Sequence, residues 1–198
     1  NVSTSRQFSI DATFPLISYG VGTENDGTNF SRSNVYVNVS ITETNFANIT
    51  YSLRNDIGTV NSTTFTSAIL TINWTGLANG NYTYNVSIRD SANNFNSTVT
   101  RIITLDTTNP LISFGTGTEA NGSSVFRSNI YVNVSITETN FANITYTLHN
   151  STSLVNISTY TTLVRTINWT NLNNSNVVYF YNVSITDAVN NKNTTETR

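Results

Sequence analysis

Residues 36–51 read YVNVSITETNFANITY, and the same sixteen residues return without a change at 131–146. Val37, Val39 and Ile41 alternate there with Asn38 and Ser40, and Ile49 and Tyr51 flank Thr50. Alternation of period two places apolar residues on one face and polar residues on the other, the pattern of an antiparallel strand covered on one side. Leu70, Ile72 and Trp74 continue it around Thr71 and Asn73, and Tyr82, Tyr84, Val86 and Ile88 around Thr83, Asn85 and Ser87. β-branched and aromatic residues dominate, and no helical spacing survives. Asn- and Gly-containing segments at 24–28 and 77–81 punctuate the strands. The pattern predicts about seven short strands per copy, the count of a sandwich.

The repeat extends well beyond the identical stretch. DATFP at 11–15 returns as DTTNP at 106–110, a shift of 95, and Trp74 returns as Trp169. Two extra residues around 173–176 raise the shift to 97, so that NVSI at 85–88 matches 182–185. A period near 95 has the size of one immunoglobulin-like domain rather than of a solenoid unit. The predicted fold is therefore all-β, two tandem immunoglobulin-like antiparallel β-sandwich domains, with copies at 12–106 and 107–198. Phe46 and Phe141 fall off the alternation, in the loop after ITETN, and are expected to cap the sandwich end.

Composition narrows the function classes. Only 10% of residues are charged, against about a quarter ordinarily, and the net charge of −2 offers no basic field for nucleic acid or an anionic membrane. In place of charge the chain has 33 Asn, 35 Thr and 23 Ser, so amides and hydroxyls solvate the surface. Twenty-two aromatic residues are far too many for a disordered chain. There is no cysteine, hence no disulfide, and Lys192 is the sole lysine, so a Lys–Asn isopeptide bond is impossible in the first copy. No apolar run reaches membrane-spanning length. The first residue is Asn rather than Met, and the chain is read as a mature or excised part of something longer.

The stretch WTGLANGNYTYNVSI at 74–88 resembles the immunoglobulin-like and fibronectin type III-like repeats of large microbial surface proteins. Those repeats share a Leu, a Gly turn, a Tyr with alternating apolar residues, and then an Asp and an Asn-containing turn. Here the tail is DSANN at 90–94 and DAVNN at 187–191. The DTTNP junction looks like the linker of such arrays, most of all in archaeal surface proteins. The resemblance covers both copies, although Gly80 has no counterpart in the second. It implies a spacer, stalk or filament role, extracellular and at a cell surface.

Asn-x-Ser/Thr begins at Asn1, Asn29, Asn38, Asn48, Asn61, Asn73, Asn81, Asn85, Asn96, Asn121, Asn133, Asn143, Asn150, Asn156, Asn168, Asn173, Asn182 and Asn193. These 18 sequons are nearly twice what random placement of the same residues gives. In a strand the Asn and the hydroxyl two residues on share a face, and the middle residue faces the core. Val39, Ile49, Trp74 and Val86 are such middle residues. The expectation is covalently attached N-glycans on the outward face, with Asn38, Asn85, Asn133 and Asn182 the leading acceptors. The plain alternative is that outward Asn and Thr merely solubilise the sheet.

No catalytic constellation is expected. His149 is the only histidine, it follows Leu148 where Asn55 falls near the matching place, and a surface position is its expected reading. Carboxylates recur as Asp11/Asp106, Glu24/Glu119, Glu43/Glu138 and Asp90/Asp187, as repeat architecture would have it. No cofactor is expected. Calcium at the junction, held by Asp106 with Asp90 or Glu119, ranks below turn and capping roles. An adhesin or carbohydrate-binding module is the competing function, with outward Tyr36 and Tyr131 as the repeated ligand platform.

The two ends carry the last expectation. The final strand of the first copy is predicted over 96–106 (NSTVTRIITLD), with Ile103 and Leu105 inward. The second copy has the matching start at 193–198 (NTTETR), its last strand incomplete. Residues 1–11 (NVSTSRQFSID) copy that same strand, with Phe8 and Ile10 in the places of Ile103 and Leu105. The reading is an orphan strand at 1–11 that completes the second domain of the preceding unit, so that the partners are copies of the chain head to tail. A covalent array is favoured over donation between subunits, because residues 1–6 duplicate 193–198 and would compete for the same sites.

Overall fold

A computed structural model describes residues 8–198, so most of the proposed strand at 1–11, and the sequon at Asn1, lie outside the described residues. The chain is all-β and divides into two compact units, Asn1–Thr107 and Thr108–Arg198.

The first unit contains β1 (Leu16–Tyr19), β2 (Thr28–Phe30), β3 (Val35–Thr42), β4 (Phe46–Asn55), β5 (Thr59–Phe65), β6 (Thr71–Trp74), β7 (Gly80–Asp90), β8 (Phe95–Ser97) and β9 (Arg101–Leu105). One sheet has the order β1-β3-β6, and the other β2-β9-β7-β4-β5, with β8 also on β7. The inward residues foreseen from period two form the core: Val35, Val37 and Val39 from β3, Ile49, Tyr51 and Leu53 from β4, Tyr82, Tyr84 and Val86 from β7, and Trp74 from β6. Each such side chain stabilises the sandwich by roughly 1.5–3 kcal/mol. Ile103 and Leu105 of β9 join this core, each 1% exposed.

Three details depart from a plain reading of the alternation. Phe46 and Phe141 open strands instead of lying in loops. A register shift between Phe46 and Asn48 rotates the phenyl ring back toward the core, and the second unit repeats it between Phe141 and Asn143. The final strand of the first unit is two strands, because Thr98 turns inward at the break. Its Oγ1 accepts from Val86 N–H at 3.0 Å and its N–H donates to the Val86 carbonyl at 2.9 Å. Finally, β2 pairs with β9 in parallel (Thr28↔Ile103, Phe30↔Leu105), a pairing that three residues of TNF do not announce.

The second unit has β10 (Leu111–Phe114), β11 (Ile130–Thr137), β12 (Phe141–Asn150), β13 (Leu154–Tyr160), β14 (Thr166–Trp169), β15 (Tyr179–Asp187) and β16 (Lys192–Thr194). Its sheets run β10-β11-β14 and β13-β12-β15-β16. The core repeats at Val132, Val134, Ile144, Tyr146, Leu148, Trp169, Tyr181 and Val183, while Ile130 and Tyr179, at the places of Val35 and Tyr82, are only partly buried. Pairing fixes the counterpart of His149 as Arg54, not Asn55: Arg54 pairs with Thr59 and His149 with Leu154, each just after a register shift.

The buried phenols tie stability to alkaline pH. Burial, with a smaller contribution from Tyr36, pushes the Tyr51 phenol up from 10.0 to about 12. Burial likewise pushes Tyr84 up to about 12 and raises Tyr146 further. A folded pKa above the unfolded value means that the contribution is complete below pH 10 and is lost as pH rises toward 12. Spectrophotometric titration of tyrosinate is therefore expected to show a late, cooperative step coinciding with loss of the β-sheet circular dichroism. Smooth ionisation of every tyrosine near pH 10 would contradict this.

Candidate functional site

The two units differ most along one edge. In the first, β9 fills a slot between β7 and β2. Gly80 to Tyr84 pair with Leu105 to Arg101 on one side, and the Gly27 N–H donates to the Ile102 carbonyl at 2.8 Å on the other. The Asp106 N–H donates to the Phe30 carbonyl at 2.9 Å, and the Asp26 carboxylate accepts the Ile102 N–H at 2.7 Å.

In the second unit the pairing reaches the equivalent of Arg101 and goes no further among the described residues. Arg198 exchanges both backbone hydrogen bonds with Tyr181, at 2.8 and 3.0 Å. Beyond it lies a groove of about 610 Å3 whose walls include Ser123, Val125, Val177, Val178, Tyr179 and Arg198. Ser123 and Val125 are the counterparts of Thr28 and Phe30, and Val177, not a glycine, stands at the position of Gly80, for which the sequence alone offered no counterpart. The groove thus occupies the position of the β9 slot. Its rim is more apolar than in the first unit: Phe180 replaces Thr83 and Val178 replaces Asn81. Both are exposed.

The closed end of this slot is built alike in both units, with Phe114 in the place of Tyr19. Arg101 lies over Tyr19 at 4.1 Å and donates to the Glu24 carbonyl, which also accepts from Tyr84 Oη at 2.6 Å; Arg32 pairs with the Glu24 carboxylate. Arg198 lies over Phe114 at 4.4 Å and donates to the Glu119 carbonyl at 2.9 Å, which accepts from Tyr181 Oη at 3.0 Å; Arg127 pairs with the Glu119 carboxylate. The second slot is therefore organised up to Arg198 in the same way as the first is up to Arg101. Phe8 and Ile10, the sequence equivalents of Ile103 and Leu105, are 83% and 85% exposed.

The sequon asparagines fall into distinct environments. Asn38 and Asn133 lie against Gly20 and Gly115, and their Nδ2 atoms donate to the carbonyls of Val21 and Thr116, each at 3.0 Å. Asn96 and Asn193 donate from Nδ2 to the Pro15 and Pro110 carbonyls, both at 2.9 Å. These four hold neighbouring backbone, which alternation does not reveal. Asn85 is half-buried with no hydrogen bond from its side chain among the described residues, and Asn182 Nδ2 reaches Thr197 Oγ1 at 3.3 Å. Asn48 and Asn143 are half-buried, while Asn29, Asn81, Asn121 and Asn173 are exposed. Asn150 folds a turn, its Oδ1 accepting from the N–H groups of Thr152 and Ser153. Asn61, Asn73, Asn156 and Asn168 lie on the edge strands β5, β6, β13 and β14.

The remaining candidates have local roles. Asp90 is buried and accepts from Asn94 N–H at 2.8 Å and Nδ2 at 2.7 Å, and Asp187 receives the same two bonds from Asn191. Each closes the turn after its strand. Asp106 accepts from Asn79 Nδ2 at 3.0 Å. Among the described residues no three His, Cys, Asp or Glu side chains gather as a metal-binding group. Tyr36 and Tyr131 are half-buried with their rings over Gly22 and Gly117, so neither stands free as a platform. His149 is exposed. Among the described residues no helix is long and apolar enough to cross a membrane.

The fold and its strand order define a tandem immunoglobulin-like β-sandwich protein. Comparison with solved structures agrees at the level of fold. A marsupial T cell receptor superposes with a TM-score of 0.54 at 7% identity, over 91% of this chain and 70% of that one. Fibronectin(III)-like modules of Clostridium thermocellum CbhA match with a TM-score of 0.41 at 10% identity, covering 91% and 92% of the two chains. A two-domain fibronectin type III segment of chicken tenascin matches at 0.39 and 13% identity, over 91% and 94%. No protein-family model matches the chain, and no curated protein matches it in sequence.

Proposed function

We propose that the chain is a non-catalytic, extracellular structural protein, N-glycosylated at the cell surface, which continues head to tail into a stalk or filament. The observation that carries this reading is the paired slot. In the first unit the slot holds Ile103 and Leu105; the equivalent groove of the second is lined by Val177, Val178 and Phe180, and the sequence that fits it recurs at Phe8 and Ile10. A residue 8–11 segment of the following copy, laid along β15 from Arg198 onward, buries two apolar side chains and the rim together and pairs an exposed strand edge. The preformed Arg198–Glu119 end lowers the ordering cost of that docking. The scarcity of charge and the wealth of outward Asn and Thr support a glycan-covered surface.

The test is a peptide of residues 4–13 added to the 198-residue chain. Binding at a hundredfold excess over Kd stabilises the second unit by about 2.7 kcal/mol, a rise in its melting temperature of roughly 10 °C. A peptide carrying Phe8→Asp and Ile10→Asp is expected to leave the melt unchanged. If neither peptide shifts the melt, the assembly reading fails. Boiling native material in detergent then separates the sources of the strand. A very large chain means a covalent array, and a single band near 21.8 kDa plus glycans means donation between subunits.

A further inference from the structure

We propose that the principal glycan acceptors of each unit are two asparagines on facing edge strands, Asn61 with Asn73 in the first and Asn156 with Asn168 in the second. This rests on the glycoprotein part of the proposed function and is independent of head-to-tail assembly.

β5 and β6 are the exposed edges of opposite sheets, and a hydrogen bond ties them: the indole N–H of Trp74 on β6 donates to Asn61 Oδ1 on β5 at 3.0 Å. An indole N–H only donates, so the bond fixes which end of the Asn61 carboxamide is oxygen. The hydroxyl of Thr63, third residue of the same sequon, donates to that oxygen at 2.7 Å. Asn61 pairs with Leu53 and so lies half-buried on the core-facing side of the edge strand β5; both of its hydrogen bonds are to Oδ1, and Nδ2 makes none among the described residues. N-glycosylation consumes one Nδ2 hydrogen and leaves Oδ1 untouched, so a glycan here is compatible with the fold as it stands.

The second unit reaches the same arrangement with different residues. Trp169 donates to Asn156 Oδ1 at 3.1 Å and Ser158 donates at 2.8 Å, although the sequon reads Asn-Ile-Ser rather than Asn-Ser-Thr. The tryptophan is also the inward middle residue of the second sequon of each pair. It thereby turns Asn73 and Asn168 outward, where both are exposed and accept through Oδ1 from Asn34 and Asn129. Asn38 is the opposite case. Its Nδ2 is bonded to Val21, and even a Cβ at Gly20 would lie 2.8 Å from it, which leaves no path for a sugar. Glycans on the paired positions cover strand edges otherwise free to pair with another sheet.

Site-resolved glycopeptide mapping of the native protein tests this. Occupancy at the four paired positions is expected to exceed that at Asn38 and Asn133 several-fold. Glycans on Asn38 and Asn133 with the paired positions bare would overturn the proposal. A wholly unmodified protein would also overturn it while leaving the strand slot unaffected. Thr63→Val removes one sequon and keeps the Trp74–Asn61 bond. It is expected to lose one glycan mass with an unchanged melting temperature, and retention of full mass would count against Asn61 as an acceptor.

Discussion

Trp74→Ala is expected to destabilise the first unit by about 3–5 kcal/mol, the range for removing a buried aromatic side chain without collapse around it. Trp74 is 7% exposed, packs at a tilt on Tyr84 with ring centroids 6.4 Å apart, and carries the only bond described here between the β5 and β6 edges. Both losses fall on one unit, so calorimetry is expected to show one of two transitions moving down by at least about 12 °C. Trp169→Ala is expected to move the other, because Trp169 makes the same contacts with Tyr181 and Asn156. Trp74→Phe keeps much of the volume and loses the indole N–H, and its effect is expected to be smaller. A loss of under about 1 kcal/mol for Trp74→Ala would mean that the edges are held by something else.

Ile103→Asp is expected to be as severe, at roughly 4 kcal/mol or more, since it places an unpaired carboxylate in the core beside Tyr82. Ile103→Val, which deletes one methyl group, is expected to cost about 0.5–1.5 kcal/mol. The charged variant carries a further signature. With β9 displaced, the amides of Gly80 to Tyr84 lose their partners, and hydrogen exchange there should rise. Unchanged protection along the start of β7 would show that β9 is held by its backbone alone.

Much of this architecture is legible in the sequence because sheet burial obeys a period of two. Ile49, Tyr51 and Leu53 alternate with polar neighbours, and each is fully buried. What escapes that rule is what interrupts the period. The shift at Phe46 adds a residue to one strand and flips its parity, so Phe46 reads as loop. Thr98 looks outward by composition, yet it is buried because its hydroxyl satisfies a Val86 amide that the break leaves over. The same limit governs the sequons. Alternation places Asn38 on the outer face, whereas Asn61 pairs with the buried Leu53 and shares its core-facing side at the sandwich edge; only the fold shows that one amide holds backbone through Nδ2 and the other is bonded through its oxygen. The match of Phe8 and Ile10 to Ile103 and Leu105 was legible in the sequence, but Val178 and Phe180 become neighbours in one groove only through the pairing of β15.

The parallel contact between β2 and β9 bears on how a stalk carries load. Tension applied through the two ends of the first unit draws on β1 from one side and on β9 from the other. Once β1 has yielded, the pull passes to β2, which runs in the same direction as β9 and is drawn the opposite way along it. The bonds between them, from Gly27 to Ile102 and from Asp106 to Phe30, then lie across the force. Bonds loaded in this way share the strain and give way together, whereas a hairpin pulled from its open end parts one rung at a time. A strand seated in the second slot, as the proposed head-to-tail continuation requires, would place the same shear clamp there, so that the proposed junction would bear tension as the domain itself does.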